Sequence, residues 1–405
     1  MMLFRAFSLL LLFTTALLTR TAFADCAEKQ PSPHCGITPF ALFDDNDRLW
    51  VTFADGGHVY LTWSIDNGAS FQPSVKVNTK PEEIDANGEN RPVLALGQNN
   101  EVFVAWTWRT NGPYSGDIRF ARSTDGGRTF EAPLTVNDDN LPTGHRFAAM
   151  LTTPSGLLYL AWLDKRDQVA ATSAGETYVG AALYYTVSAD AGKHFDSNRK
   201  VADNSCECCR LALAPSGNDE IQVLWRHTFE DNQVRDHATA TLGRTGASTV
   251  QRVSRDDWRI NACPHHGPAI AATENGYHMA WFSNGNRNQG VMYGFFDSDE
   301  QITGHIASID QHPSGGHPSV GLQGETITLV WKSFDGNRMN LRIVQSADGG
   351  RQWREAFTLA STRDGSDYPQ LLQSDGELFV AWQTSSEGYR FYPVPNIQTE
   401  TGTQP

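Results

Sequence analysis

The stretch Ser123-Thr124-Asp125-Gly126-Gly127-Arg128-Thr129-Phe130 returns three more times, as SIDNGASF at 64–71, SADAGKHF at 188–195 and SADGGRQW at 346–353. The shared pattern is Ser-x-Asp-x-Gly-x-x-aromatic. An Asp in such a string accepts hydrogen bonds from backbone N–H groups one or two residues on. The Gly supplies a positive φ, and the aromatic ring packs back under the loop. The string therefore reads as a tight turn between two antiparallel strands, and its four copies mark an internal repeat.

Around the copy at 123–130 the chain alternates between strands and turns. Residues 91–96, 101–106, 117–122 and 132–137 read as strands A, B, C and D, with the motif joining C to D. The end of strand B recurs at Phe53, Trp106, Trp162, Trp225, Trp281, Trp331 and Trp382, at spacings of 50 to 63 residues. An A strand precedes each, near Pro39, Pro92, Phe147, Leu211, Pro268, Pro318 and Pro369. Radial repetition of four-stranded sheets is a β-propeller, all-β, with seven blades favoured over six. Units four and five lack the motif, carrying Leu242-Gly243-Arg244-Thr245 and Phe296-Asp297-Ser298-Asp299 instead. Unit seven lacks a D strand, which the segment 32–37 is expected to supply, closing the ring and hiding its edge. No stretch of helical period and no linker interrupts the pattern, so residues 25–397 read as one domain.

Residues 1–24 read as a cleavable signal peptide: Arg5, an apolar run through Leu18, then Ala22-Phe23-Ala24 before the cut. The expected location is the periplasm or the medium, and no later run is long and apolar enough to span a membrane. The tail 398–405 is polar and expected to be disordered. A net charge of −14 disfavours nucleic acid and anionic membranes as partners.

Strand alternation sorts the loops onto two faces. The C–D turns lie on one face, and the D–A and B–C loops lie on the other. The unusual residues gather in D–A loops. Four of the six cysteines fall in Asn204-Ser205-Cys206-Glu207-Cys208-Cys209-Arg210 and Asn261-Ala262-Cys263-Pro264-His265-His266-Gly267-Pro268. Thiolates suit Cu(I), zinc or iron–sulfur clusters, and imidazoles add Cu(II). Cys206, Cys208, Cys209, Cys263, His265 and His266 are therefore candidate ligands for copper, the favoured ion, or zinc. His145, His227 and His317 are near enough in this topology to add to the set. The competing reading is structural or redox-active: Cys206 or Cys208 bridged to Cys263, or a vicinal Cys208–Cys209 bond. Cys26 and Cys35 are expected to pair and pin the closing segment.

The repeated turn and the A–D pattern resemble the Asp box of sialidase-like (BNR repeat) propellers, over essentially the whole mature chain. That resemblance implies a glycan-active enzyme or a glycan- or protein-binding scaffold, because fold alone does not assign function. Sialidases of this kind grip a substrate carboxylate with three arginines and use a Tyr–Glu nucleophile and an Asp acid/base. The resemblance points to Arg91, Arg146 and Arg210 as the arginines, Tyr368 as nucleophile and Asp164 as acid, with Asp85 and Asp367 as alternatives. The first blade departs from the pattern, reading Gly36-Ile37-Thr38-Pro39 with no arginine. The arginines could instead pair with loop acids such as Glu89, Asp203 and Glu207. Trp108 and Trp258 lie in loops of the same face, where they could stack on a sugar. The expected partner is a small anionic ligand, a metal ion or a glycan.

Overall fold

The computed structural model describes Cys26 and residues 30–112, 114–217, 219–297 and 306–396; the signal peptide and the 398–405 tail lie outside the described residues. Seven antiparallel sheets follow one another along the chain. Blade one pairs Ile37–Phe43, Leu49–Asp55, His58–Ser64 and Val75–Lys76, and blade two Val93–Leu96, Val102–Arg109, Gly116–Ser123 and Leu134–Thr135. Blade three pairs His145–Thr152, Leu158–Asp164, Ala181–Ser188 and Arg199–Ser205. In blade four Ala212–Ser216, Glu220–Arg226 and His237–Gly243 are followed by two short pieces, Gly246–Ala247 and Gln251–Arg252, both paired to His237–Gly243. Blade five has Ala269–Thr273, Gly276–Asn284, Gln289–Asp297 and Ala307–Asp310, and blade six Gly316–Gln323, Thr326–Phe334, Met339–Ser346 and Phe357–Thr362. Blade seven keeps three strands, Gln370–Ser374, Glu377–Thr384 and Gly388–Pro393.

The period read from the tryptophans is the period of the core. Trp106, Trp162, Trp225, Trp281, Trp331 and Trp382 are fully buried, and Phe53 takes the same place in blade one. Most of the indole N–H groups are capped by acids or carbonyls: Glu82, Asp164, Asp256, Asp310 and the Asp367 carbonyl accept from Trp106, Trp162, Trp281, Trp331 and Trp382. Trp225 is the exception; its Nε1 is buried without a partner.

In the four blades that carry it, the repeated turn packs against the blade before it. In the last copy Ser346 Oγ donates to Asp348 (2.9 Å) and accepts the Gly350 N–H (3.0 Å). Asp348 accepts the N–H groups of Arg351 and Gln352, three and four residues on, rather than the nearer ones expected. Gly350 has φ +83°, and a Cβ there would lie 2.2 Å from the Tyr293 ring of blade five. Gly349 has φ +75° and open space around it. The pair separates backbone strain from packing. Gly349→Ala is expected to cost about 1 kcal/mol, the left-handed penalty alone. Gly350→Ala should cost about 2–4 kcal/mol, because overpacking adds to that penalty. Urea denaturation of the two variants checks this, and equal losses would mean the box glycine is not an interblade contact.

Two expectations need correction. Residues 32–36 do not form a fourth strand of blade seven. They turn back on themselves, with the Cys35 and Gly36 N–H groups on the Ser32 carbonyl. The segment still docks on blade seven, where Gln383 Nε2 donates to the Gly36 and Pro33 carbonyls, and Cys26–Cys35 is bridged. Pro31 and Pro33 have no N–H to give a ladder, which is why the segment docks without pairing. Short helices do occur, Arg166–Ser173 and Glu230–Gln233, both in B–C loops. The first starts where Asp164 accepts the Arg166 N–H (2.8 Å).

Candidate functional site

Each inner strand begins with one residue at the mouth of the central channel. Counting through the observed pairings to the residue after the B-strand aromatic puts Ile37, Arg91, Arg146, Arg210, Gly267, Gly316 and Tyr368 at one level. Arg146 stands opposite Leu163, level with Arg91 and Arg210. In blades one, three and six a bulge inserts Thr38, Phe147 and His317 beside that level, at φ +49°, +62° and +52°.

These residues close the mouth. The Arg91 guanidinium carbon stands 3.7 Å from the Tyr368 ring centre and that of Arg210 4.3 Å from it. Arg91 donates to Asp367 (2.8 Å) and to the Pro39 and Gly88 carbonyls. Arg210 donates to Glu89 and the Pro318 carbonyl. Buried Glu89 also accepts the backbone N–H groups of Arg210 (2.9 Å) and Gly267 (2.8 Å) and the His317 Nδ1–H (2.8 Å). Burial pushes its carboxyl up, but Arg210 and His317 outweigh burial and hold it well below the usual carboxylate range. Burial keeps His317 below the usual imidazole value despite Glu89. Burial, opposed by Arg91 and Arg210, pushes the Tyr368 phenol up to about 12. Below this plug a channel of about 1220 Å³ opens toward the A–B hairpins.

Arg91 and Arg210 thus spend donors on Asp367 and Glu89. Arg146 gives Nε to Asp85 (2.6 Å), which also takes Arg109 and Asn87. The two terminal nitrogens of Arg146 and the Tyr368 hydroxyl make no hydrogen bond among the described residues. Asp164 is fully buried and accepts from Trp162 Nε1 and from Arg166. His145 is fully buried between the Gly116 carbonyl (2.8 Å) and Asp139 (3.1 Å). Asp139, His145 and Asp164 cluster within ligand range, but the Arg166 guanidinium fills the charge balance there, 2.8 Å from Asp164. Trp258 is buried under Arg226 instead of presenting a face to solvent.

The cysteine loops come together on the same face. Strand D of blade three ends at Ser205, and the Cys206 N–H then bonds the Arg226 carbonyl (2.9 Å). Arg226 is buried and donates to the carbonyls of Arg235 (2.8 Å), Phe282 (2.8 Å) and His266 (3.0 Å). One guanidinium therefore ties the loop of blade five to blade four. Lys165 on Glu207 holds the outer side of the first loop. The result is a triangle of sulfurs: Cys206–Cys208 3.6 Å, Cys206–Cys209 3.9 Å and Cys208–Cys209 3.9 Å. A disulfide needs about 2.05 Å. Two thiolates on one tetrahedral ion at about 2.3 Å lie about 3.8 Å apart. The three thiols are buried, while Cys263 is exposed. Cys208, Cys263 and His265 form a second group whose ligand atoms lie within 4.8 Å of one another.

Hydrogen bonds from Cys208 and Cys209 hold the Cys206 thiol well below its ordinary value, with Arg226 and Arg235 adding positive charge. Burial pushes Cys209 up to about 12. His266 belongs to neither group. Its ring lies 4.3 Å from those of His317 and Phe282, and burial with nearby His317 pushes it down to about 2. His227 packs edge-on against Trp225 and Phe229, also outside both groups, and burial takes it down to about 4.

Residues 85–380 match the family described as a BNR repeat-like domain. The chain belongs to that family. No curated protein matches it. Among solved structures this BNR-repeat chain is similar to a polysaccharide lyase, the PL25 ulvan lyase, at 13% identity over 89% of this chain and 94% of that one, with a TM-score of 0.57. Polysaccharide lyase Uly1 follows at 11% identity, 89% of each chain and 0.53. A Hadza microbial sialidase has 15% identity over 89% of this chain, with a TM-score of 0.50, and this chain spans only 65% of that protein's length. At such identities the likeness is one of fold. Among the described residues no helix is long and apolar enough to cross a membrane.

Sequence reading missed two organising residues. Glu89 was seen only as one loop acid among several, though it braces three blades. The second is Arg226. The available signal was its position directly after the buried Trp, where the other blades carry Thr107, Leu163, Phe282, Lys332 and Gln383.

Proposed function

We propose that this chain is an exported BNR propeller that holds one soft transition metal ion, copper as Cu(I) in preference to zinc, on Cys206, Cys208 and Cys209. The observation that carries the reading is the sulfur triangle, whose edges of 3.6 to 3.9 Å suit a shared ion and not a disulfide. The charges agree. Three thiolates on a monovalent ion leave negative charge, and Arg226 and Arg235 act on that site. The compartment agrees as well, since free thiols in an oxidising space survive when a metal holds them. The site supplies binding and transfer of the ion, with its protons released as the thiolates form.

The test is metal analysis of the mature protein and titration of its metal-free form with Cu(I). One equivalent bound tightly, with a raised unfolding temperature, is expected. No metal as isolated, and unchanged unfolding with added copper or zinc, would sink the reading.

A second reading, a sialidase-type hydrolase or a binder of acidic glycans, rests on the unpaired Arg146 nitrogens and Tyr368 hydroxyl beside the plug. One similar lyase structure holds the acidic fragment GlcA(1-4)Rha3S, which fits that chemistry. The same preparation offered fluorogenic sialosides separates the two. Turnover lost in Arg146→Ala and Tyr368→Phe would move the assignment to the mouth.

A further inference from the structure

The candidate ligands divide into two overlapping groups that differ in access. Cys206, Cys208 and Cys209 are all buried. Cys208, Cys263 and His265 combine one buried ligand with two exposed ones. Cys208 belongs to both. His265 is held at φ +54°, a left-handed backbone that a non-glycine residue adopts only under constraint. That twist sends His265 toward Cys263 while its neighbour His266 stacks inward on Phe282 and His317.

A buried trio has an access problem. An ion delivered on the thiols of another molecule must change ligands one at a time, and the donor cannot reach sulfurs that are shielded from solvent. The only ligands of the two groups that a donor can touch are Cys263 and His265. We propose that Cys263, His265 and Cys208 form an outer position through which Cu(I) enters and leaves, with Cys208 as the pivot that keeps hold of the ion while it moves to Cys206 and Cys209. This deepens the metal-binding reading and rests on it.

Each step is a ligand exchange in which copper stays Cu(I). A Cu–S bond to the donor breaks as a Cu–S bond to Cys263 forms, and the Cys263 thiol proton passes to the departing donor thiolate. Cys208 and neutral His265 then bind as the remaining donor ligand leaves, and Cys208 loses its proton to buffer. Attack by Cys206 and Cys209 displaces Cys263 and His265; of the two thiol protons released, one returns to the Cys263 thiolate and the other goes to buffer. No oxidant or reductant is consumed.

The test uses the mature chain and the Cu(I) complex of bicinchoninate as donor, followed by stopped-flow loss of the chelate colour. Cys263→Ser and His265→Ala are expected to bind one Cu(I) with affinity close to wild type but to load at least about tenfold more slowly, because the exposed attacking ligand is gone. Return of the ion to excess chelator should slow by a similar factor. Unchanged rates in both variants would overturn the relay. Loss of stoichiometry or of affinity in the two variants would also overturn it, since all five ligands would then form one centre. A wild-type chain that takes no Cu(I) would instead remove the metal-binding reading beneath it. Where Cys263→Ser fails to fold, alkylation of the metal-free native chain at exposed Cys263 gives the same block, because its three companions are buried.

Discussion

Changing any one of Cys206, Cys208 or Cys209 to serine is expected to weaken Cu(I) binding by about a hundredfold or more. Structural metal sites in small domains are worth about 10–16 kcal/mol, shared over about four ligands, so one lost thiolate forfeits about 3 kcal/mol. That is about a hundredfold in affinity. Serine keeps the shape of cysteine, so the metal-free variants should unfold within about 1 kcal/mol of the parent. Competition against a coloured Cu(I) chelator measures the loss directly. His266→Ala and His227→Ala serve as contrasts, because neither ring joins the sulfur groups. They should leave the affinity within about threefold of wild type. If serine at Cys206 and alanine at His266 weaken binding equally, the ion sits elsewhere on this face.

The contrast between His265 and His266 shows where sequence reading stopped. Adjacent in the chain, they looked like equivalent ligands. A left-handed residue at 265 turns them to different neighbours, and no residue type announces that twist. The same holds for the arginines. The period of buried tryptophans and the repeated Ser-x-Asp-x-Gly turn were enough to number the blades and to separate the two faces. They could not show that bulges insert Thr38, Phe147 and His317 beside the ring. Nor could they show that Arg91 pairs with Asp367 and Arg210 with Glu89, partners 276 and 121 residues apart. Periodic patterns encode contacts within a blade. Contacts across the mouth join loops whose separation is set only when the ring closes.

Glu89 is where those cross-ring contacts meet, and its removal should be the most costly single change to stability. The carboxylate leaves blade two and binds Arg210 of blade four, the Gly267 N–H of blade five and His317 of blade six. Glu89→Ala takes the carboxylate from the partly buried Arg210 guanidinium and orphans two backbone donors together. Breaking a buried pair from one side costs about 3–5 kcal/mol, and a propeller offers few other contacts that join blades which are not neighbours. The pH dependence follows from the direction of its shift. The folded carboxyl titrates below its ordinary value of 4.5, because Arg210 and His317 overcome burial. Its contribution is therefore complete above that value and drains away as the pH falls toward the lower folded one. Urea denaturation between pH about 3 and 7 should show wild-type stability dropping steeply below pH about 4.5. Glu89→Gln, which keeps the shape without the charge, should start lower at pH 7 and fall less steeply below 4.5. A Gln variant as stable as the parent, with the same acid slope, would mean that the mouth is sealed by packing around Tyr368 and not by this carboxylate.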